Sequence, residues 1–246
     1  MLGLTTAEWS IGAVAVTANG MTNGLLPQKF HVPIGLLASA ATSYTAFRAD
    51  VGAREQGLAL RALPRGILYG IAASIPIAAT LIVGARSKHS RPMYAEERIT
   101  AVSGRRAAYE MLIRIPLGTA LSEEVIFRGS LLGLLLRHHP TPIAAALDSF
   151  LFGLWHVTPT LSRMPTHGLT KESTMAFRSA WLAGTVGSTF VSGLALSWLR
   201  LRSGSVVAPW MAHTTANCAG YALTRFYRRS RLCNATAPAA GTTGLR

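Results

Sequence analysis

Runs of about twenty mostly apolar residues recur along this chain, separated by short segments dense in arginine. A helix needs roughly that length to cross the hydrocarbon of a bilayer, and a spanning segment must satisfy its backbone hydrogen bonds internally. The clearest runs are 65–85, 107–136, 141–158, 179–199 and 205–224. Two more, 9–26 and 32–47, are short and interrupted by Asn19, Asn23 and glycines, so one of them could be re-entrant or interfacial. Half of the 246 residues are hydrophobic and only 14% are charged, where a soluble domain carries roughly 25%. So few charges cannot cover so much apolar surface in water, and disorder is excluded for the same reason. The expected fold class is all-α: a polytopic membrane protein with about seven to eight transmembrane helices around a cavity.

Twenty-four Lys and Arg stand against ten Asp and Glu, a net charge of +14. The basic residues lie between apolar runs, as in 86–106 and 225–231, where membrane proteins keep cytoplasmic anchors. The partner this implies is anionic lipid. Nucleic acid is not expected, because no basic helix or aromatic-basic interleaving accompanies the charge. Counting seven spans, the larger share of Lys and Arg falls on the side of the C-terminus, so the positive-inside rule places that end in the cytoplasm. No cleavable signal peptide is expected, since residues 1–10 lack a basic start and carry Glu8. The simplest division is one membrane domain over 1–224, with a short basic tail, 225–246. Cys218 and Cys233 have no spacing that would suggest a disulfide framework or a thiol metal site.

Ionisable residues inside apolar runs are costly and tend to mark function. Three clusters meet that description. Glu123 and Glu124 are followed by Arg128, with Glu124 and Arg128 four residues apart on one helix face. Phe152 and His156 have the same spacing in the next run, as do His213 and Asn217 in the last. A base, a proton carrier and donors for an oxyanion are what hydrolysis requires, and three helices could bring these residues to one interior cavity. Each cluster also has a plain reading, as a helix-helix tether, a satisfied interfacial histidine or a buried hydrogen-bonding knot.

In order, the three clusters read E-E-x-x-x-R, F-x-x-x-H and H-x-x-x-N, and over 107–221 the chain resembles the CPBP family of intramembrane proteases. That family includes the prenyl-protein endopeptidases and bacterial relatives linked to bacteriocin processing. The resemblance implies about eight helices, a conical cavity opening towards the cytoplasm, and cleavage of membrane-associated protein or peptide substrates, prenylated CAAX-type ones among them. It further implies that Glu123 activates a water with help from His156, that Arg128 pairs with and orients Glu124, and that His213 and Asn217 hold the oxyanion. The family has been described both as metalloproteases and as glutamate proteases. Glu123, His156 and His213 are the candidate zinc ligands, although they lack the H-E-x-x-H spacing that puts two ligands on one face.

Other features bear on the reading. Asp148 shares a helix face with Phe152 and His156, and the expectation is a solvated residue near the interface. His138 and His139 read as loop residues beside Pro140, and 159–178 as a connector or a loop over the cavity mouth. A rhomboid-type serine protease would need a G-x-S-G turn, and an intramembrane aspartyl protease would need paired aspartates; neither is present. The remaining alternative is a non-enzymatic scaffold or a small proton-coupled transporter, though no internal repeat of the kind common in transporters is visible.

Overall fold

The computed structural model describes residues 5–87, 99, 102–164 and 173–236, with side chains as far as 226. Among the described residues the chain is helical, without a strand, and we number eight helices: α1 (Thr6–Gly20), α2 (His31–Arg48), α3 (Leu63–Arg86), α4 (104–138), α5 (Thr141–Trp155), α6 (Val157–Arg163), α7 (Met175–Ser203) and α8 (Val207–Thr236). The apolar runs read from the sequence all lie on helices. Helix α8 passes through the boundary drawn at 224, so the basic tail begins as its continuation.

Local sequence accounts for the helix ends. Thr5 caps α1 in a reciprocal box with Glu8, satisfying two backbone donors that the first turn leaves open. The chain turns from α7 into α8 at Gly204, which adopts φ 73° and donates its N–H to the Arg200 carbonyl, a left-handed cap that suits glycine. Helix α4 is one continuous element with two stretches of wider π-helical turn, Glu110–Leu121 and Val125–Leu131, flanking Ser122–Glu124. Pro116 lies in the first stretch and cannot donate a backbone hydrogen bond. Its carbonyl accepts from the indole Nε1–H of Trp210 at 2.8 Å, which ties α4 to α8. Such widened turns recur at functional sites because they displace side chains from regular helical positions.

Small residues bring the helices close. A Cβ on Gly70 of α3 would come within 2.6 Å of Met211 Sδ on α8, and one on Gly35 of α2 within 2.8 Å of the Gly118 carbonyl on α4. On α5, a Cβ at Gly153 would meet the Val186 carbonyl of α7 at 3.0 Å. Helix α4 passes through the middle: Ile126, Leu132, Leu134 and Leu135 are almost wholly buried, and they pack with Ile11 of α1, Phe152 of α5 and Ala208 of α8.

The outward faces are apolar. Leu68, Ile75 and Val83 on α3 and Val191 and Trp198 on α7 are each more than half exposed. Among the described residues, two helical segments are long and apolar enough to cross a membrane by composition alone, Leu60–Arg86 and Met175–Ser203. Their most apolar windows are only 11% and 22% buried in the protein, as expected of surfaces that face lipid. Helix α4 gains less from lipid because it carries Glu110, Arg114, Glu123, Glu124 and Arg128, most of which face inward.

Candidate active site

The two glutamates of α4 face different surroundings although they are adjacent. Glu124 is completely buried; its Oε1 accepts from His213 Nδ1 at 2.8 Å and from Arg128 Nη1 at 3.4 Å. Glu123 lines a cavity of about 290 Å³ together with His156, His213 and Asn217. Its Oε2 lies 3.9 Å from His213 Nε2, outside hydrogen-bonding distance, and has no hydrogen-bond partner among the described residues. Four of the six residues singled out in the sequence thus meet at one chamber, and the other two, Glu124 and Arg128, lie behind its wall.

His156 owes its orientation to the end of a helix. It closes α5, where the last carbonyls have no partner within the helix, and its Nδ1 lies 2.8 Å from the Phe152 carbonyl. A carbonyl can only accept, so Nδ1 carries the proton and Nε2 is left with a free lone pair. This gives the F-x-x-x-H spacing a physical reason. The Phe152 ring also packs edge-on against His156 at 4.7 Å and His213 at 6.0 Å, and the Arg128 guanidinium lies 4.0 Å from its centroid. Asn19 of α1 donates to the Trp155 carbonyl at 2.7 Å and supports the same helix end.

Asp148 departs from expectation. It is fully buried rather than solvated at an interface. Its Oδ2 accepts from the Ser197 hydroxyl of α7 at 2.8 Å and faces Arg128 Nε at 3.4 Å. Arg128 therefore stands between two carboxylates, Glu124 and Asp148, and donates in addition to the Gly193 carbonyl of α7 at 3.2 Å. A buried charge is tolerated when it is paired and hydrogen-bonded, and this lock joins α4, α5 and α7. Asp148, Ser197 and Gly193 were not among the residues singled out as site candidates. The signal that could have found Asp148 is its position: an acid inside an apolar run requires a partner.

The chamber continues into a second space of about 410 Å³, which shares with it Arg114, Thr119, Arg163 and Asn217. This outer space lies where α4 begins and α8 passes Tyr221 and Thr224. Part of the segment read as a connector or loop is in fact helical: Pro159 and Arg163 belong to α6 and line the inner chamber, while α7 begins at Met175. Residues 165–172, including His167, lie outside the described residues. His138, read from the sequence as a loop residue, is instead the last residue of α4, and His139 caps the helix at the short connection.

The zinc set can be tested on the geometry. His213 Nδ1 is engaged with Glu124 and His156 Nδ1 with the Phe152 carbonyl, so each histidine offers Nε2, the one nitrogen a metal takes from an imidazole, and the fit turns on spacing. Among the described residues no three His, Cys, Asp or Glu side chains are grouped closely enough to hold a metal ion. The donor set as arranged does not fit zinc.

No curated protein and no solved structure matches the chain. The family model described as type II CAAX prenyl endopeptidase Rce1-like matches residues 106–219, rather less than half of the chain. That stretch contains all six of the residues singled out and the lock formed by Arg128, Asp148 and Ser197. Residues 106–219 are thus similar to the type II CAAX prenyl endopeptidases, in agreement with the CPBP resemblance of the three motifs.

Proposed function

We propose that this chain is an intramembrane endopeptidase that hydrolyses peptide bonds of membrane-associated proteins or peptides, CAAX-type prenylated ones among them. The observation that carries the proposal is the convergence of Glu123, His156, His213 and Asn217, from three helices, on one chamber. The helices cross the cell membrane together as a multi-pass bundle of seven to eight spans, with the C-terminus in the cytoplasm.

In this reading Glu123 takes a proton from a water in the chamber, with His156 Nε2 as the second acceptor, and the resulting hydroxide attacks the substrate carbonyl. The oxyanion that forms is held by His213 Nε2, in its protonated form, and by the Asn217 amide. Glu124 holds the His213 ring through Nδ1 and stabilises its positive charge, and Arg128 and Asp148 fix Glu124 from behind. The proton taken from water passes to the departing amine as the tetrahedral intermediate collapses.

The test uses purified full-length protein in lipid nanodiscs and a quenched-fluorescent peptide with farnesyl-cysteine followed by three apolar residues. Glu123→Ala abolishes cleavage and Glu123→Asp retains a trace. Full activity in a folded Glu123→Ala variant rules this chemistry out.

A further inference from the structure

Asn19 and Asn23 interrupt the first apolar run, and the chemistry proposed for the chamber makes no use of them. Asn19 is buried near the end of α1, with 5% of its surface exposed. A buried amide needs partners for both its oxygen and its nitrogen. Its Nδ2 donates to the Trp155 carbonyl of α5 at 2.7 Å, and its Oδ1 accepts from Asn23 Nδ2 at 2.7 Å. Because the Trp155 carbonyl can only accept, the amide has one orientation. Asn23 stands in the widened π-helical turn Met21–Leu25 that prolongs α1, and its backbone carbonyl accepts from the Ser162 hydroxyl of α6 at 3.1 Å. The end of α1 therefore grips the chain on both sides of His156, at Trp155 before it and at Ser162 after it.

The bond from Asn19 falls on the peptide unit that joins Trp155 to His156. The residue four positions beyond Trp155, which a continuing helix would use as the donor to its carbonyl, is Pro159, and proline has no N–H. Asn19 supplies the missing donor. The N–H of the same peptide unit donates to the Gly153 carbonyl at 3.1 Å, so the unit is held at both ends. On the other side, the His156 carbonyl accepts from the Thr160 N–H at 3.0 Å and from the Thr160 hydroxyl. Both peptide units flanking the His156 Cα are thereby fixed, and the bond from Nδ1 to the Phe152 carbonyl then sets the ring. Asn19 is not among the described residues that line the chamber, so it reaches the chamber only through His156.

We propose that Asn19, backed by Asn23, is a positioning residue: it stands in for the backbone donor that Pro159 lacks and so sets the direction in which His156 presents Nε2. This rests on the hydrolytic reading of Glu123 and His156. It also gives α1, which lies outside residues 106–219, a part in the reaction.

The test joins kinetics to a readout that needs no substrate. Full-length wild type and Asn19→Leu, which keeps the volume of the side chain but not its donor, are prepared in lipid nanodiscs with 15N-labelled histidine. The His156 signals are identified by their loss in His156→Gln. In the wild type His156 is a single tautomer with the proton on Nδ1, and in Asn19→Leu it becomes a mixture of both. A displacement of about 1 Å costs on the order of 100-fold in rate, so kcat for the farnesyl-cysteine peptide falls about tenfold or more while KM changes by less than about twofold. If Asn19→Leu does not fold, Asn23→Leu decides by the tautomer alone, because it leaves Asn19 in place but untied. A wild-type His156 that is already mixed, an unchanged kcat, or a fall in kcat with the tautomer unaltered overturns the proposal. If the tautomer shifts as expected but the wild type cleaves nothing, the grip on His156 stands and the hydrolytic reading fails.

Discussion

Replacing Asp148 by asparagine tests the lock behind the chamber, because the change removes a charge while nearly preserving shape. At 3.4 Å the attraction between Asp148 and Arg128 is about 5 kcal/mol at an effective dielectric constant near 20. Much of that is offset because the variant no longer buries the carboxylate charge, and charged hydrogen bonds contribute about 1.5–3 kcal/mol net. Arg128 also keeps Glu124 and the Gly193 carbonyl as partners. The expected destabilisation is therefore about 2 kcal/mol. Arg128→Met is worse, about 3–5 kcal/mol, since it leaves Asp148 buried without a cation and Glu124 with His213 alone. The double variant Asp148→Asn with Arg128→Met is more stable than Arg128→Met alone, because one of the stranded charges is gone. Denaturant unfolding in detergent micelles, followed by tryptophan fluorescence, provides the ranking. If Arg128→Met is no worse than Asp148→Asn, or the two changes simply add, the two-carboxylate account of Arg128 is wrong.

Three further outcomes follow from the geometry. Gly193→Ala places a Cβ 2.9 Å from Ser149 Cβ and 3.1 Å from Arg128 Nη2, so it should push α5 from α7, lower the unfolding midpoint and reduce cleavage together; unchanged unfolding would show that this contact yields freely. Because the donor set does not fit zinc as arranged, cleavage should survive stringent chelation, and loss of activity restored by added zinc would reverse that expectation. The apolar outer faces of α3 and α7 should keep the protein in the membrane pellet after an alkaline carbonate wash, whereas release into the supernatant would contradict a spanning bundle.

The sequence reveals the helices and the chamber residues more readily than it reveals what holds them. Apolar runs and their arginine-rich separators locate α2, α3, α5 and α7 because a spanning helix has little freedom in length or composition. Glu123, His156, His213 and Asn217 are legible because each is an expensive residue in an apolar run, repeated in an ordered pattern. Asp148 is misread because spacing along α5 relates it only to Phe152 and His156, whereas its partners Arg128 and Ser197 come from neighbouring helices. Periodicity shows which residues share a face but not which helix that face meets. That Arg114 and Arg163 line one space is hidden for the same reason, since they come from different helices, α4 and α6. The widened turns of α4 could have been suspected from Pro116, but their extent depends on contacts such as Trp210 to the Pro116 carbonyl.

The central claim is that Glu123 makes this protein a protease. The most direct measurement compares newly formed peptide N-termini in membranes containing matched amounts of wild-type protein and Glu123→Ala. Cleavages present only with the wild type are the predicted result, and they would identify the substrates at the same time. Identical profiles, with the variant shown to be folded, would contradict the claim and return the chain to the scaffold or transport alternative.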